Sequence, residues 1–384
     1  MKKPLYIKRK IKYQISETLF KGKVIILYGA RQIGKTTLVK EILRKYKNSN
    51  YISCDELQVQ IDLKPLSHEY LKNYFGNYEL IVLDEAQKIK DIGVILKIMN
   101  DFYPDTQIIA TGSSSFDLAN SVGEPLVGRS REFYMSALTF EEIKDYENLH
   151  DENSLEINKK IKDLIIYGNY PEVYIDKDNR KDILKGFVNS NLYKDVLEYR
   201  GIKKPLILVD LLKLLAYQIG NEVSYTEIAG VLKIDKVTVE NYITLLEQAF
   251  IIFRLRPYSV NQRNDIKRLR KIYFWDTGIR NAIIGDFSSL EKREDRGLLF
   301  ENYFISELKK RYTVDKNDNE LYFWRSKRGN EIDLLEIDNE NKSIIAYECK
   351  YKKENVNLPK EWSDNFGQTE FHIVNLDNVG RFLL

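Results

Sequence analysis

The feature that most constrains the fold is a glycine-rich segment between an apolar run and a stretch of helix-forming composition. Residues 24–28 are apolar or aromatic, residues 29–36 match G-x-x-x-x-G-K-T/S at every fixed position, and residues 35–46 favour a helix. This order predicts a strand, a loop and a helix. Glycines in such a loop let backbone N–H groups approach phosphate oxygens, and the following helix N-terminus adds partial positive charge. The segment therefore predicts a phosphate-binding loop.

Two side chains at the end of this loop carry the specific contacts to a nucleotide. Lys35 would bridge the β- and γ-phosphates, and the hydroxyl of Thr36 would bind Mg²⁺. The pattern alone can arise by chance, but its place between a strand and a helix is the context that the motif requires. The residues expected to bind ATP are Gly29, Ala30, Arg31, Gln32, Ile33, Gly34, Lys35, Thr36 and Thr37.

An acidic pair follows the loop by about fifty residues. The apolar run at residues 80–83 ends in Asp84 and Glu85. A buried strand would deliver Asp84 to its carboxyl end, where it can orient the Mg²⁺ shell. Glu85 would then act as the general base for the attacking water. An apolar strand that ends in two acids is common, so this assignment depends on the preceding loop.

A further strand at residues 107–111 ends in Gly112 and a run of serines. In P-loop ATPases with a catalytic glutamate, such a strand lies between the other two and presents a polar side chain to the γ-phosphate. Ser113, or its neighbour Ser114, is the candidate. The alternative is a serine-rich turn without a catalytic role.

An arginine lies between this strand and the next. Arg129 could stabilise charge on the transferring phosphoryl group, in its own subunit or in a neighbouring one. A solvated loop arginine is the alternative, and Arg131 is the nearest competitor.

Alternating apolar runs and helical segments in the first 150 residues predict an α/β fold with a parallel sheet that is covered on both faces. The chain turns polar near residue 150, which indicates a surface connection. The expected organisation is a P-loop ATPase domain at 1–150, a helical lid or connection at 151–204, a winged helix-turn-helix at 205–290 and an α+β nuclease-like domain at 291–384.

The middle region carries helix signals in the order typical of a winged helix-turn-helix. Ser224 precedes Glu227 by three residues, as in a capped helix, and residues 236–249 form the expected reading helix. The positions expected to face DNA are Lys236, Thr238, Glu240 and Asn241. The expected wing carries the cations Arg263, Lys267, Arg268, Arg270 and Lys271. The alternatives are a protein-docking module and a solvated charge run.

The last ninety residues contain an acidic set like that of the PD-(D/E)XK nucleases. Glu301 falls on an expected helix, Asp333 on one strand, and Glu348 and Lys350 on the next. Because side chains alternate along a strand, Glu348 and Lys350 face the same way, and Asp333 and Glu348 could share Mg²⁺. Glu301 completes the expected metal set, and Lys350 would position or activate water. The alternative is an ordinary amphipathic strand in a domain that has lost activity. Nearby cations that could hold a phosphate backbone are Arg325, Lys327, Arg328, Lys352 and Lys353.

Several segments together resemble a prokaryotic AAA-type ATPase family. They are GARQIGKTT at 29–37, LDEAQ at 83–87, TGSS at 111–114, LVGR at 126–129, GNYPE at 168–172 and GLLFEN at 297–302. Members of this family typically continue into a winged helix and a restriction-endonuclease-like domain of unknown function. The resemblance covers nearly the whole chain, and it implies the fold and ATP binding more than it implies a biological process.

Composition sets the remaining expectations. The 384 residues exceed what one core usually supports, and the net charge of +3 means that a nucleic-acid surface needs local clustering. The two cysteines and three histidines show no zinc or disulfide spacing, which fits a reducing cytoplasm. No apolar run approaches the ~20 residues of a membrane helix. We therefore expect a cytoplasmic, DNA-associated ATPase that could assemble into oligomers. The first rival is a regulatory nucleotide switch that binds a protein partner and has a catalytically silent C-terminal domain. The second is a structural DNA-binding protein with slow turnover.

Overall fold

The computed structural model describes residues 6–112, 126–150, 154–192, 205–259, 270–315 and 319–383. The chain divides into two compact units. Unit 1 comprises residues 1–137 and 248–250, and unit 2 comprises residues 138–247 and 251–384.

The described part of unit 1 contains a parallel five-stranded sheet. Its strands are β1 (Val24–Tyr28), β2 (Ser49–Ser53), β3 (Leu80–Asp84), β4 (Gln107–Gly112) and β5 (Ser130–Tyr134). Their spatial order is β2-β3-β4-β1-β5, and all neighbours run parallel. The α/β class and the parallel sheet are thus confirmed, and β4 lies between the loop strand β1 and the acidic strand β3.

Helices cover this sheet. They are α1 (Ile11–Thr18), α2 (Lys35–Leu43), α3 (Leu57–Asp62), α4 (His68–Phe75) and α5 (Ile92–Phe102). Every residue of β1, β3 and β4 is buried, as expected for strands that pack on both faces. Because the strands are parallel, β1, β3 and β4 all end at the same edge, where the loop and the acidic pair begin.

Unit 2 is richer in helices. They are α6 (Phe140–Glu147), α7 (Ser154–Tyr167), α8 (Pro171–Ile175), α9 (Arg180–Gly186), α10 (Pro205–Tyr217), α11 (Tyr225–Leu232), α12 (Lys236–Gln248), α13 (Thr277–Ile284), α14 (Arg296–Asp315) and α15 (Lys360–Phe366). The predicted cap is present, since Ser224 accepts a hydrogen bond from the Glu227 N–H at the start of α11. None of the helices in the described ranges combines the length and the apolar character needed to cross a membrane.

The described strands of unit 2 form one seven-stranded sheet. They are β6 (Glu222–Val223), β7 (Ile252–Pro257), β8 (Arg270–Phe274), β9 (Glu320–Arg325), β10 (Glu331–Asp338), β11 (Ser343–Cys349) and β12 (Glu370–Val374). The spatial order is β12-β11-β10-β9-β7-β8-β6. The hairpin β7–β8 joins the later strands through a parallel pairing of β7 with β9. The boundary expected between 290 and 291 therefore does not separate two compact units.

Candidate functional site

The glycine-rich loop connects β1 to α2 in unit 1 and packs tightly against its surroundings. Gly29 has a φ of 156°, and a Cβ atom there would lie 2.3 Å from the carbonyl oxygen of Met135. Gly34 adopts a left-handed conformation directly before α2. Glycine at position 29 therefore lets the loop pack directly against the backbone of Met135, which a side chain would prevent.

Lys35 places a buried cation inside this loop. Its side chain is 4% exposed, and Nζ donates hydrogen bonds to the carbonyl oxygens of Gly29 at 2.8 Å and Ala30 at 2.9 Å. These two bonds hold the ammonium against the backbone of the loop, where a cation favours an anionic ligand.

The carboxylate of Asp84 collects hydroxyl donors from three elements at the carboxyl edge of the sheet. Thr36 at the start of α2 and Tyr51 on β2 each donate to Oδ2 at 2.6 Å. Thr111 on β4 donates to Oδ1. The structure thus brings together Thr36 and Asp84, the two residues expected to serve the Mg²⁺ shell.

Glu85 lies next to this cluster, with a left-handed backbone at a φ of 55°. Its N–H donates to Oγ1 of Thr111 at 3.1 Å, and its Oε2 accepts a bond from Nε2 of Gln87 at 2.6 Å. The carboxylate is therefore oriented by a side chain two residues later, and the Glu85 backbone is tied to the same threonine that contacts Asp84.

Two residues of this site escaped the sequence analysis. Thr111 is fully buried and contacts both acidic positions, whereas the expected Ser113 and its neighbour Ser114 lie outside the described residues. Tyr51 lies on β2, a strand whose sequence contains no recognisable motif. Burial, and then the hydrogen bond to Asp84, raise the pKa of the Tyr51 hydroxyl, which stays a donor at neutral pH. Thr111 could have been found as the polar residue at the end of an apolar strand.

Arg129 lies at the opposite edge of the sheet. Its carbonyl oxygen accepts the N–H of Val24, the first residue of β1, at 2.9 Å, whereas the loop follows the last residue of that strand. At about 3.3 Å per residue, the strand separates these edges by roughly 15 Å. Nε of Arg129 bonds instead to Oδ1 of Asp101 at 2.6 Å. A role for Arg129 at the loop of its own subunit is therefore wrong. Arg131, which pairs with Ile25, lies near the same edge.

The C-terminal carboxylates lie in unit 2. Leu334 on β10 pairs with Tyr347 on β11, so Asp333 and Glu348 are the next residues in register. Oδ2 of Asp333 accepts the N–H of Cys349 at 2.8 Å, and Nζ of Lys350 donates to Oε1 of Glu348 at 2.9 Å. The structure therefore brings Asp333, Glu348 and Lys350 together.

Glu301 on α14 has different partners. Its Oε1 accepts bonds from Nζ of Lys271 at 3.1 Å and from the hydroxyl of Tyr273 at 2.5 Å. Lys271 is 3% exposed and also pairs with Glu331. This lysine was expected on an exposed wing for phosphate contact, which is wrong. The cations expected at 263, 267 and 268 lie outside the described residues.

The expected metal set of Glu301, Asp333 and Glu348 is not assembled as such. Across the described ranges, no group of three or more His, Cys, Asp or Glu side chains is arranged to hold a metal ion. The physical reason is that Lys271 and Tyr273 engage Glu301 while the Cys349 backbone engages Asp333.

Burial dominates the electrostatics of this acidic cluster. It raises the pKa of Glu301 to about 7, although Lys271 opposes the shift, and the charge of Asp333 adds to it. Burial, followed by the neighbouring Asp333, also raises the pKa of Glu348. Burial alone would lower the pKa of Lys271, but Glu301, Asp333 and Glu331 raise it. The lysine therefore stays charged among the acids.

The expected reading helix α12 presents a mixed surface. Lys236, Glu240 and Asn241 are exposed. Thr238 is committed locally, because its N–H and hydroxyl both donate to the carboxylate of Asp235. This acid lies at the helix N-terminus, where a phosphate would otherwise be favoured.

The sheet order and the loop geometry define an AAA-type P-loop NTPase domain in unit 1. Residues 21–144 match a family model described as AAA domain. Residues 158–290 and 296–362 match two domains of unknown function, DUF8612 and DUF4143.

Relatives that align over most of the chain are themselves uncharacterized. An uncharacterized protein of Methanocaldococcus jannaschii is 29% identical over 353 residues, which cover 87% of this chain and 76% of the relative. One of Haemophilus influenzae is 24% identical over 357 residues, which cover 85% and 87%.

Solved structures give only distant matches. Pif1 helicase from Candida albicans matches with a TM-score of 0.27 and 11% identity over 48% of each chain, so the match spans about half of that helicase. A DNA polymerase III gamma subunit-related protein from Thermotoga maritima matches with a TM-score of 0.25 and 11% identity over 79% of this chain and 100% of its own. At these TM-scores and identities, the two matches indicate nothing about function.

Proposed function

We propose that this protein binds Mg²⁺-ATP and hydrolyses it, and that hydrolysis drives work on DNA. The observation that carries the first part is the pairing of a cation-containing glycine loop with the Thr36–Asp84 contact beside it. A polyphosphate needs the first feature, and its divalent cation needs the second.

The residues present fit the nucleotide and its cation. Buried Lys35 lies against the carbonyl oxygens of Gly29 and Ala30, and the Thr36 hydroxyl lies 2.6 Å from Oδ2 of Asp84. Lys35 would bind the β- and γ-phosphates, while Thr36 and Asp84 would hold the Mg²⁺ shell. When bound, Mg²⁺ neutralises charge on the phosphates.

Glu85 is the residue that would receive the proton of the attacking water. The Gln87 amide donates to Oε2 of Glu85. Glu85 would therefore take the proton either with its other oxygen or after this hydrogen bond breaks. Thr111 links the Glu85 backbone to Asp84 and would keep the base in register with the cation-binding acid.

Action on DNA is proposed from unit 2. The helix pair α11–α12 and the hairpin β7–β8 follow the element order of a winged helix, and exposed Lys236 and Asn241 are suitable contacts. A specific observation favours the rival, a switch that binds a protein partner. Asp235 occupies the helix N-terminus, and Val231 and Val237 beside it are 60% and 64% exposed.

Phosphodiester cleavage by the C-terminal region is a separate proposal. The order α14, β9, β10, β11, α15 and β12 is the one expected of a PD-(D/E)XK domain and supports that fold. The donor set does not fit the metal as expected, because Glu301 is engaged by Lys271 and Tyr273. Asp333, Glu348 and Lys350 lie together and are the residues that would serve this role, with Asp333 already bonded to the Cys349 N–H.

One set of measurements tests these proposals. Phosphate release from ATP is followed for the wild type, Lys35→Ala and Glu85→Gln, with and without DNA. The proposal predicts loss of ATP binding in Lys35→Ala, and retained binding without turnover in Glu85→Gln. If Glu85→Gln hydrolyses ATP at the wild-type rate, Glu85 is not the general base. Hydrolysis that DNA leaves unchanged, with no DNA retained at moderate salt, would favour the switch.

The same purified protein tests cleavage. Mg²⁺-dependent nicking that disappears in Asp333→Asn and in Glu348→Gln, with ATP hydrolysis intact, would support a nuclease. Absence of nicking on linear, branched and single-stranded DNA, with Mg²⁺ or Mn²⁺, would reduce the region to a binding module.

A further inference from the structure

The guanidinium of Arg9 lies behind the glycine-rich loop. Nη1 donates to the carbonyl oxygen of Ile33 at 2.7 Å, and Nη2 donates to those of Ser136 at 2.6 Å and Ala137 at 3.3 Å. The side chain is 6% exposed. One planar cation therefore joins the loop to the segment that follows β5, although the two are far apart in sequence.

That segment is the support against which the loop rests. The N–H of Met135 donates to the carbonyl oxygen of Tyr28 at 2.8 Å, directly before the loop begins. The carbonyl of Met135 would lie 2.3 Å from a Cβ on Gly29. Arg9 adds the second attachment, at Ile33 near the other end of the loop.

The contact with Ile33 also fixes the direction of a peptide plane. In a trans peptide the C=O and the following N–H point in opposite directions, and no cis bond occurs among the described residues. Because the Ile33 carbonyl points at Arg9, the N–H of Gly34 points away from it. Without Arg9, this plane could rotate and turn a carbonyl oxygen toward anionic phosphates.

We propose that Arg9 is a positioning residue of the nucleotide site. It holds the Ile33–Gly34 peptide so that the N–H of Gly34 faces the phosphate groups of a nucleoside di- or triphosphate. Arg9 and Lys35 both donate to backbone carbonyls of the loop, at Ile33 and at Gly29. The proposal rests on the proposed nucleotide binding and extends the site to a residue before the matched region, which begins at 21.

The test uses full-length wild type, Arg9→Met and Arg9→Lys. ADP affinity is measured by calorimetry, and KM and kcat are measured for ATP. Hydrogen bonds to a charged group are strong enough that Arg9→Met should weaken ADP binding and raise KM by about tenfold or more. kcat at saturating ATP should change by less than about threefold, because the base is untouched. Arg9→Lys keeps the charge but cannot contact both segments at once. Its ADP affinity and KM should lie between those of the wild type and of Arg9→Met.

A matched control is Arg44→Met, since Arg44 is on the surface and pairs with Glu41 at the end of α2. It should bind ADP like the wild type. A wild type that fails to bind ADP would refute the proposed function itself. Given wild-type binding, unchanged ADP affinity in Arg9→Met would overturn the role of Arg9, even if the variant is less stable. If Arg9→Met does not fold, Arg9→Lys decides: weaker ADP binding supports the proposal, and wild-type affinity overturns it.

Discussion

The hydroxyl of Tyr51 donates a 2.6 Å hydrogen bond to Oδ2 of Asp84, the same oxygen that accepts the hydroxyl of Thr36. Two hydroxyls from different elements thus share the oxygen that would orient the Mg²⁺ shell. The ring of Tyr51 also lies beneath the ammonium of Lys40, at 4.5 Å from the ring centroid. The tyrosine therefore joins β2 to the nucleotide site.

Tyr51→Phe should make ATP hydrolysis less demanding of Mg²⁺. The substitution keeps the ring and removes one donor, so the Asp84 carboxylate becomes a better acceptor for the cation shell. We expect the Mg²⁺ concentration for half-maximal hydrolysis to fall about threefold, with a stability loss of about 1–2 kcal/mol. Tyr103→Phe is the control, because Tyr103 donates to His68 away from this cluster. An unchanged Mg²⁺ requirement would count against the assignment.

Thr111→Val should reduce turnover while nucleotide binding persists. Valine has nearly the same shape but lacks the hydroxyl that contacts Asp84 and the N–H of Glu85. Misplacement of a general base should lower kcat by about tenfold to a hundredfold, with KM changed much less. Thr111→Ser keeps the hydroxyl and should retain most of the activity. An equal loss in both variants would indicate a packing effect.

Arg129→Ala should leave hydrolysis by an isolated subunit unchanged. Its exposed pair with Asp101 should contribute at most about 1 kcal/mol to stability. If copies assemble, the arginine could reach a neighbouring loop. Mixing Arg129→Ala with Glu85→Gln would then restore the increase in hydrolysis that assembly gives the wild type and that neither variant shows alone. Steady-state ATP hydrolysis is measured at low protein concentration, where subunits are separate, and at high concentration, where they could assemble. A fall in kcat for demonstrably monomeric Arg129→Ala would contradict the geometry.

The buried Glu301 should make unit 2 less stable as pH rises. Its pKa is about 7 in the folded chain against an ordinary value of 4.5, so between these values the folded state holds a proton that the unfolded state releases. Raising the pH through this window should therefore cost up to about 3 kcal/mol. Glu301→Gln cannot titrate and should lose that slope. Urea unfolding of both proteins from pH 4.5 to 8 measures the difference, and identical slopes would refute the assignment.

The sequence predicts those parts of the nucleotide site in which the reactive side chains belong to a short motif at the end of a strand. The loop, Thr36, Asp84 and Glu85 form a local pattern, and parallel strands bring their carboxyl ends together. Tyr51 and Arg9 could not be read in this way, because each acts through one long-range contact that leaves no periodic signal. Arg129 was expected near the phosphates because an arginine can stabilise their charge. The direction of β5 instead places it beside the start of β1, at the end of the strand away from the loop.

The C-terminal cluster shows a similar division. The strands that carry Asp333 and Glu348 were expected, and their pairing follows from the register of β10 and β11. Lys271 was expected on an exposed wing that contacts phosphate, because it ends a run of cations. Sequence spacing could not reveal that β8 shares a sheet with the later strands, which is what buries this lysine beside Glu301.

The shared sheet of unit 2 also affects how the chain must fold. The hairpin β7–β8 is synthesised well before β9, its parallel neighbour, and parallel strands depend on contacts between distant parts of the sequence. Until β9 emerges from the ribosome, one edge of the hairpin carries unpaired backbone groups that can join another chain. A fragment ending near residue 290 would keep this open edge permanently, so fragments cut at the limits of the family matches should aggregate more readily than the whole protein.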